Sequence, residues 1–208
     1  VIEEKNCRLE LLECEIKNER LVLLQLHGGG YIGGMRNAYR SFAGLYSELG
    51  RGMSVLTVDY RVAPEHPYPA ALEDAITGYN WLLQAGWQEH EIVVAGDSAG
   101  GGLALALCMY LKNQNRKLPA GLICMSPWTD LTQSGASYDF NYERDPLFGN
   151  TRDSLIYSKD YIQDEDPTNP YISPLYGNFS GLEEEALQQE FAWEGGTYEL
   201  DAEIVRGI

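Results

Sequence analysis

The chain has 208 residues, of which 44% are hydrophobic and 22% are charged, a composition that is typical of a folded globular protein and excludes the disordered and fibrous classes. Its 15 basic and 31 acidic residues give a formal net charge of −16 at pH 7. Because such a charge repels phosphate backbones and anionic membranes, we do not expect a nucleic acid as a partner.

Hydropathy and cysteine spacing indicate the compartment. No apolar run approaches the roughly 20 residues of a membrane span, and the first residues lack the basic and apolar regions of a secretory signal. The spacing of the cysteines indicates neither a disulfide framework nor a zinc site; they are Cys7, Cys14, Cys108 and Cys124. We therefore expect a reduced, cytoplasmic protein that binds no metal.

Continuous apolar runs alternate with helical patterns along the chain. Runs rich in Val, Ile and Leu predict buried parallel strands at 21–26, 54–60, 92–95 and 121–126. The segments between them predict helices at 38–49, 70–84 and 99–112. Residues 8–16 could add an antiparallel edge strand. This order predicts an α/β fold, a mostly parallel sheet flanked by helices that binds ligands at the carboxyl ends of its strands.

We expect residues 1–208 to form a single domain with two atypical parts. Residues 129–170 are polar, aromatic and rich in turns, which indicates an excursion over the sheet with a helix at 154–162. Residues 183–208 form an acidic tail without a clear strand. Its first part, 183–193, predicts a short helix, because carboxylates are favourable near the positive N-terminal end of a helix.

The strongest motif is Gly96-Asp97-Ser98-Ala99-Gly100, a G-x-S-x-G sequence between a predicted strand and a predicted helix. Small residues beside the serine allow a tight turn that pushes the Ser98 hydroxyl out at the top of the sheet, where a substrate carbonyl can reach it. The N–H of Ala99, at a helix N-terminus, can donate to a developing oxyanion. A chance glycine-rich turn is the alternative, and the strand-to-helix context favours a nucleophilic serine.

A second motif, His27-Gly28-Gly29-Gly30, follows the strand predicted at 21–26. Glycines allow backbone N–H groups to approach a ligand where a Cβ atom would clash. In a hydrolase, Gly28 and Gly29 would supply the remaining oxyanion donors. A phosphate-binding loop is the alternative, but neither nucleotide-binding glycine pattern follows.

Three further stretches accompany these two motifs: DYRVAPEHPYPAALED at 59–74, SPWTDL at 126–131 and NPYISPLYGNFSGL at 169–182. With them the chain resembles the hormone-sensitive-lipase-like esterases of the α/β-hydrolase fold. The resemblance implies that Ser98 is the nucleophile, that Gly28, Gly29 and Ala99 form the oxyanion hole, and that 129–170 is part of a cap. It also implies the hydrolysis of short or medium acyl esters without a metal or cofactor.

The sequence departs from this pattern because no histidine follows Ser98 to act as its base. Of the three histidines upstream, His90 precedes the nucleophile by eight extended residues, about 25 Å, which excludes it as the base. We expect His66 to orient a proline-rich turn and His27 to support the oxyanion loop.

The acid is also unassigned. Asp145-Pro146-Leu147 resembles the family's acid motif, but it precedes the segment that it should follow, so we give Asp145 a structural role. We expect the last two sheet strands and the two triad members that they carry to be missing, which would truncate the sheet and expose an edge that a homodimer could cover.

The sequence thus predicts a carboxylic ester hydrolase that acts on a small-molecule ester through an acyl-serine intermediate and is impaired by the lack of a base. A non-catalytic receptor or small-molecule-binding protein on a hydrolase scaffold is the alternative, and a product without function is a third. Loss of a block rather than of one residue favours the incomplete hydrolase over the receptor.

Overall fold

The structure, a computed structural model, describes residues 1–14, 18–146, 156–180, 186–190 and 201–205. Its strands form one sheet in the order β1-β2-β4-β3-β5-β6-β8-β7. They are β1 (Ile2–Glu3), β2 (Arg8–Leu12), β3 (Asn18–Leu26), β4 (Met53–Asp59), β5 (Ile92–Asp97), β6 (Gly121–Met125), β7 (Ala186–Glu190) and β8 (Asp201–Val205). The helices are α1 (Asn37–Leu49), α2 (Ala70–Gln84), α3 (Ala99–Asn113), α4 (Ser137–Phe140) and α5 (Ile156–Ile162).

The centre of the sheet confirms the predicted α/β architecture. Strands β4, β3, β5 and β6 pair in parallel, in that order. The predicted edge strand is β2, which pairs antiparallel with β4. The predicted helices at 38–49, 70–84 and 99–112 are present as α1, α2 and α3.

The four parallel strands are mostly apolar because helices cover both faces of this part of the sheet. Alternate residues of the strands point to opposite faces. Leu24, Leu56 and Val94 belong to the larger core, which α2 and α3 complete. Their neighbours Leu23 and Val55 belong to a smaller core with Ala43 of α1 and Ala95. Helix α1 therefore lies on the opposite face from α2 and α3.

The proline-rich motif after β4 is held by a buried ion pair. Asp74 on α2 is fully buried and accepts hydrogen bonds from the backbone N–H of Arg61 at 2.8 Å and from its guanidinium at 2.8 Å. This pairing supplies the hydrogen bonds that a buried carboxylate requires, and it ties the loop after β4 to the start of α2.

The tail differs from the sequence prediction. The helix expected over 183–193 is wrong where the structure describes this segment, because Ala186–Glu190 is strand β7. The tail also carries β8, which pairs antiparallel with β6 from Leu122↔Val205 to Met125↔Ala202. Backbone groups at a sheet edge gain hydrogen bonds from any strand that pairs there, and this gain overrides weak local helix propensity.

The excursion after Trp128 contains α4 and α5. The helix predicted at 154–162 is confirmed over Ile156–Ile162, and its first two residues lie outside the described part of the chain. Within that part, no helix combines the length and apolar character needed to cross a membrane.

The contact between α2 and the sheet gives a test of this packing. A Cβ atom at Gly78 would lie 2.6 Å from Val58 Cγ2 and 3.3 Å from Leu24 Cδ1. We expect Gly78→Ala to lower the free energy of unfolding by about 1–3 kcal/mol through overpacking. Gly44 lies on the exposed side of α1, where a Cβ atom meets nothing within 4 Å. Gly44→Ala should therefore raise the free energy of unfolding by up to about 1 kcal/mol. Urea unfolding measures the free energy of unfolding of each variant, and equal changes in the two variants would contradict this packing.

Candidate active site

Ser98 lies at the sharp turn between β5 and α3 and has a backbone conformation that is rare for a residue with a side chain, with φ 51° and ψ −120°. Such strain persists only where surrounding structure holds it. The Ser98 N–H donates to the Met125 carbonyl at 3.0 Å, and the Ser98 carbonyl accepts from Trp128 at 2.8 Å and Gly102 at 3.1 Å. The residue is partly exposed, and no described group hydrogen-bonds to its hydroxyl.

The two glycines of the motif allow this turn because backbone approaches them closely. A Cβ atom at Gly96 would collide with the Gly100 carbonyl, and one at Gly100 would collide with the carbonyls of Leu26 and His27. The second contact also brings the start of α3 against the end of β3. Hence the glycine requirement of the motif is steric at both positions.

The loop that follows β3 lies beside this turn. Parallel pairing places Leu26 opposite Gly96, so the next residues, His27 and Asp97, lie side by side. The Gly28 N–H donates to Asp97 Oδ1 at 3.0 Å and to the Tyr39 hydroxyl at 2.8 Å. The two sequence motifs therefore meet at one end of the sheet.

The N–H groups near Ser98 differ in whether they already have an acceptor. The N–H of Gly28 is occupied by Asp97 and Tyr39, and Gly28 is buried. Gly29 is exposed and has φ 129°, and Gly30 has φ 64°. Within the described ranges, the N–H groups of Gly29, Gly30 and Ala99 donate to no acceptor. These three N–H groups would not have to give up a hydrogen bond in order to bind an oxyanion.

His27 supports the loop from inside the protein. Its side chain is fully buried, stacks on Tyr60 with ring centroids 3.9 Å apart, and donates from Nδ1 to the Gly28 carbonyl at 2.8 Å. Its Nε2 is buried without a hydrogen-bond partner. Burial lowers the pKa of His27, so the imidazole is held neutral. These contacts support the loop-positioning role predicted for it.

The other two histidines lie away from Ser98. His90 is exposed and lies before β5, at the opposite end of that strand from Ser98. His66 is exposed and lines a surface cavity of about 590 Å³ with residues 3–8, and Ser98 is not among its lining residues. All three histidines belong to the described residues, and none of them hydrogen-bonds to Ser98. Asp145 lies in the turn after α4.

Two residues that touch this site escaped the sequence analysis. Tyr60 lies in the stretch at 59–74 but was given no role there. Tyr39 belongs to no motif, and a tyrosine early in an amphipathic helix gives no signal by itself. Tyr39 could have been found only from the adjacency of β3 and β5 in the sheet, since it brings the start of α1 close to Asp97. Asp97 satisfies a backbone group here, since it accepts a hydrogen bond from the Gly28 N–H.

Comparison with known proteins supports the fold. A family model of the alpha/beta hydrolase fold matches residues 23–188. An acetyl-hydrolase of Streptomyces hygroscopicus is 39% identical over 160 residues, which cover 77% of this chain and 53% of that protein. An esterase of Acinetobacter venetianus is 39% identical over 165 residues, with the same two shares.

Solved structures agree as well. The crystal structure of EstE5 soaked with p-nitrophenyl butyrate has a TM-score of 0.79 at 36% identity, covering 86% of this chain and 60% of that one. That of an esterase from the bacterial hormone-sensitive lipase family has a TM-score of 0.74 at 34% identity, covering 87% and 64%.

The chain belongs to the α/β-hydrolase family, in the hormone-sensitive-lipase-like group that its motifs indicate. It spans about half the length of the curated relatives described above.

The buried state of His27 predicts a pH effect on stability. The lowered pKa means that below about pH 6.5 the unfolded chain binds a proton that the folded protein excludes, so stability falls on acidification. We expect His27→Gln to lose less free energy of unfolding than the wild type between pH 6.5 and 5, by up to about 1.4 kcal/mol per pH unit. Urea unfolding across this range measures the slopes, with the exposed His90→Gln as the control. Parallel slopes for wild type and His27→Gln would contradict the prediction.

Proposed function

We propose that this protein is a serine carboxylic ester hydrolase whose nucleophile is Ser98. The observation that carries the proposal is that Ser98 is partly exposed and lies on a strained turn beside N–H groups that have no acceptor among the described residues. Such an arrangement suits attack on a carbonyl, whose oxygen becomes negatively charged as the bond forms.

The proposed reaction has two steps. Ser98 Oγ attacks the ester carbonyl carbon and loses its proton to a base, and the alcohol leaves with a proton, which gives an acyl-Ser98 intermediate. Water then attacks the acyl group and releases the carboxylic acid and the free serine. In both steps the negative oxygen would accept hydrogen bonds from Gly29 and Ala99.

The third donor is the point at which the geometry favours a change from the sequence prediction. Gly28 was expected to donate, but its N–H already binds Asp97 and Tyr39. We therefore propose that Gly30 supplies the third N–H and that Gly28 anchors the loop. Removal of one oxyanion donor typically costs about 10²–10³ in rate, so the distinction is measurable.

The substrates that we propose are small esters with short or medium acyl chains. The names of the relatives, an acetyl-hydrolase and an esterase, and the p-nitrophenyl butyrate soaked into EstE5 support this range. A positioned base typically raises the reaction rate about 10²–10⁴-fold. An oxyanion hole and substrate binding alone still give a rate about 10³–10⁴-fold above that of the reaction in water. Without a histidine at Ser98, we expect weak turnover.

A cytoplasmic location fits this proposal. All four cysteines are free thiols, which suits a reducing compartment.

A non-catalytic small-molecule-binding role is the second candidate. The observation that favours it is that His27, His66 and His90, all within the described residues, leave Ser98 without an imidazole partner. A binding protein on this scaffold would hold an ester or acid at the same N–H groups without turning it over.

A fluorophosphonate probe distinguishes these two functions. We expect the probe to form an adduct on Ser98, located by peptide mass spectrometry, because its phosphorus is attacked as an ester carbonyl would be. Ser98→Ala, which removes only the hydroxyl, should fold and stay unlabelled at this peptide. A folded wild-type protein without an adduct on Ser98 would reject the hydrolase, and ester-analogue binding in that sample, measured by calorimetry, would support the binding role.

A further inference from the structure

The Tyr39 hydroxyl lies between the two motifs of the site. It accepts a hydrogen bond from the Gly28 N–H at 2.8 Å and donates one to Asp97 Oδ2 at 3.0 Å. The same Gly28 N–H also donates to Asp97 Oδ1 at 3.0 Å. The three groups thus form a closed triangle, which we call the Tyr39 clamp.

The Tyr39 clamp joins three elements that carry the site. Tyr39 belongs to α1, Gly28 to the loop after β3, and Asp97 to the end of β5. Asp97 immediately precedes Ser98, and Gly28 immediately precedes Gly29. A shift of either segment relative to the other would therefore break a bond of the clamp.

The position of the Tyr39 ring is fixed by aromatic neighbours. It packs edge-on against Phe42 with ring centroids 5.8 Å apart and tilts against His27 at 5.5 Å. Burial, followed by the charge of Asp97, raises the pKa of Tyr39 to about 12. The hydroxyl therefore keeps its proton near neutral pH and can donate to the carboxylate throughout.

We propose that Tyr39 is a positioning residue, which acts through Asp97 and Gly28 to hold the N–H groups of Gly29 and Gly30 at the distance from Ser98 Oγ that the oxyanion requires. This inference rests on the hydrolase function proposed above. Displacements of about 1 Å at a reacting centre can cost 10²-fold in rate, so a loose loop would slow the reaction even where substrate still binds.

The test compares two tyrosines of the same helix. Tyr39→Phe removes the hydroxyl of the clamp and keeps the ring. Tyr46→Phe removes a hydroxyl of α1 that contacts Met125 Sδ at 3.6 Å and lies outside the clamp, so it is the matched control. For each protein, fluorophosphonate labelling of Ser98 gives the probe dissociation constant and the maximal labelling rate, and thermal unfolding gives the midpoint.

We expect Tyr39→Phe to lower the maximal labelling rate about 10-fold, with the probe dissociation constant unchanged, because the lost stabilisation belongs to the transition state. Tyr46→Phe should label at the wild-type rate. A purely structural role for Tyr39 would lower the unfolding midpoint and leave the labelling rate of the folded protein unaltered, and this result would overturn the proposal.

A second variant tests the route through Asp97. Asp97→Asn weakens the other corner of the clamp, and we expect it to slow labelling as well. The effects of substituting residues that act through one another are not additive. The variant that combines Tyr39→Phe with Asp97→Asn should therefore label no more slowly than the slower of the two single variants. Rate losses that multiply would overturn the proposed route.

Asp97→Asn also keeps the proposal testable if Tyr39→Phe does not unfold cooperatively, since a wild-type labelling rate in Asp97→Asn would then overturn it. The failure of the underlying function looks different. In that case neither the wild type nor Tyr46→Phe would label at Ser98.

Discussion

The site depends on the parallel pairing of β3 with β5. Leu26 lies opposite Gly96 in this pairing, which brings the two glycine-bearing motifs together. The carbonyls of Leu26 and His27 approach Gly100 so closely that a Cβ atom has no room. The hydrogen bonds of Gly28 then connect the two segments just beyond the sheet. Hydrophobic burial of the strands therefore fixes the relative position of polar groups that lie outside the core.

The central fold could be predicted because local pattern and tertiary environment agree there. Apolar runs such as 54–60 need cover on both faces, and the helices between the strands supply it. The conformation of the tail was mispredicted because it depends on pairing with other strands rather than on the local sequence. Residues Ala186–Glu190 pair with β8, and β8 pairs with β6, so partners distant in sequence decide their conformation.

The sequence also singled out the two motifs of the candidate site, which the structure places side by side at one end of the sheet. Ser98 and the glycine loop stand out because their chemistry requires particular residue types at fixed spacing. The sequence does not indicate whether an individual backbone N–H already has a hydrogen-bond acceptor. Gly28 and Gly29 are the same residue type in the sequence, yet one N–H is bound and the other lacks a described acceptor, because only Gly28 lies within reach of Tyr39 and Asp97. Tyr39 itself comes from a helix whose pattern reports only amphipathicity.

The bare backbone of the loop after β3 has a consequence for selectivity. Gly29 is exposed and carries no side chain, so a carbonyl bound there would meet peptide groups alone. Peptide N–H groups bind the carbonyl oxygen and do not distinguish the acyl and alcohol groups attached to the carbonyl carbon. Other elements of the protein must therefore select among acyl and alcohol groups. Exchanging those elements could change the substrate preference without any change in the loop after β3.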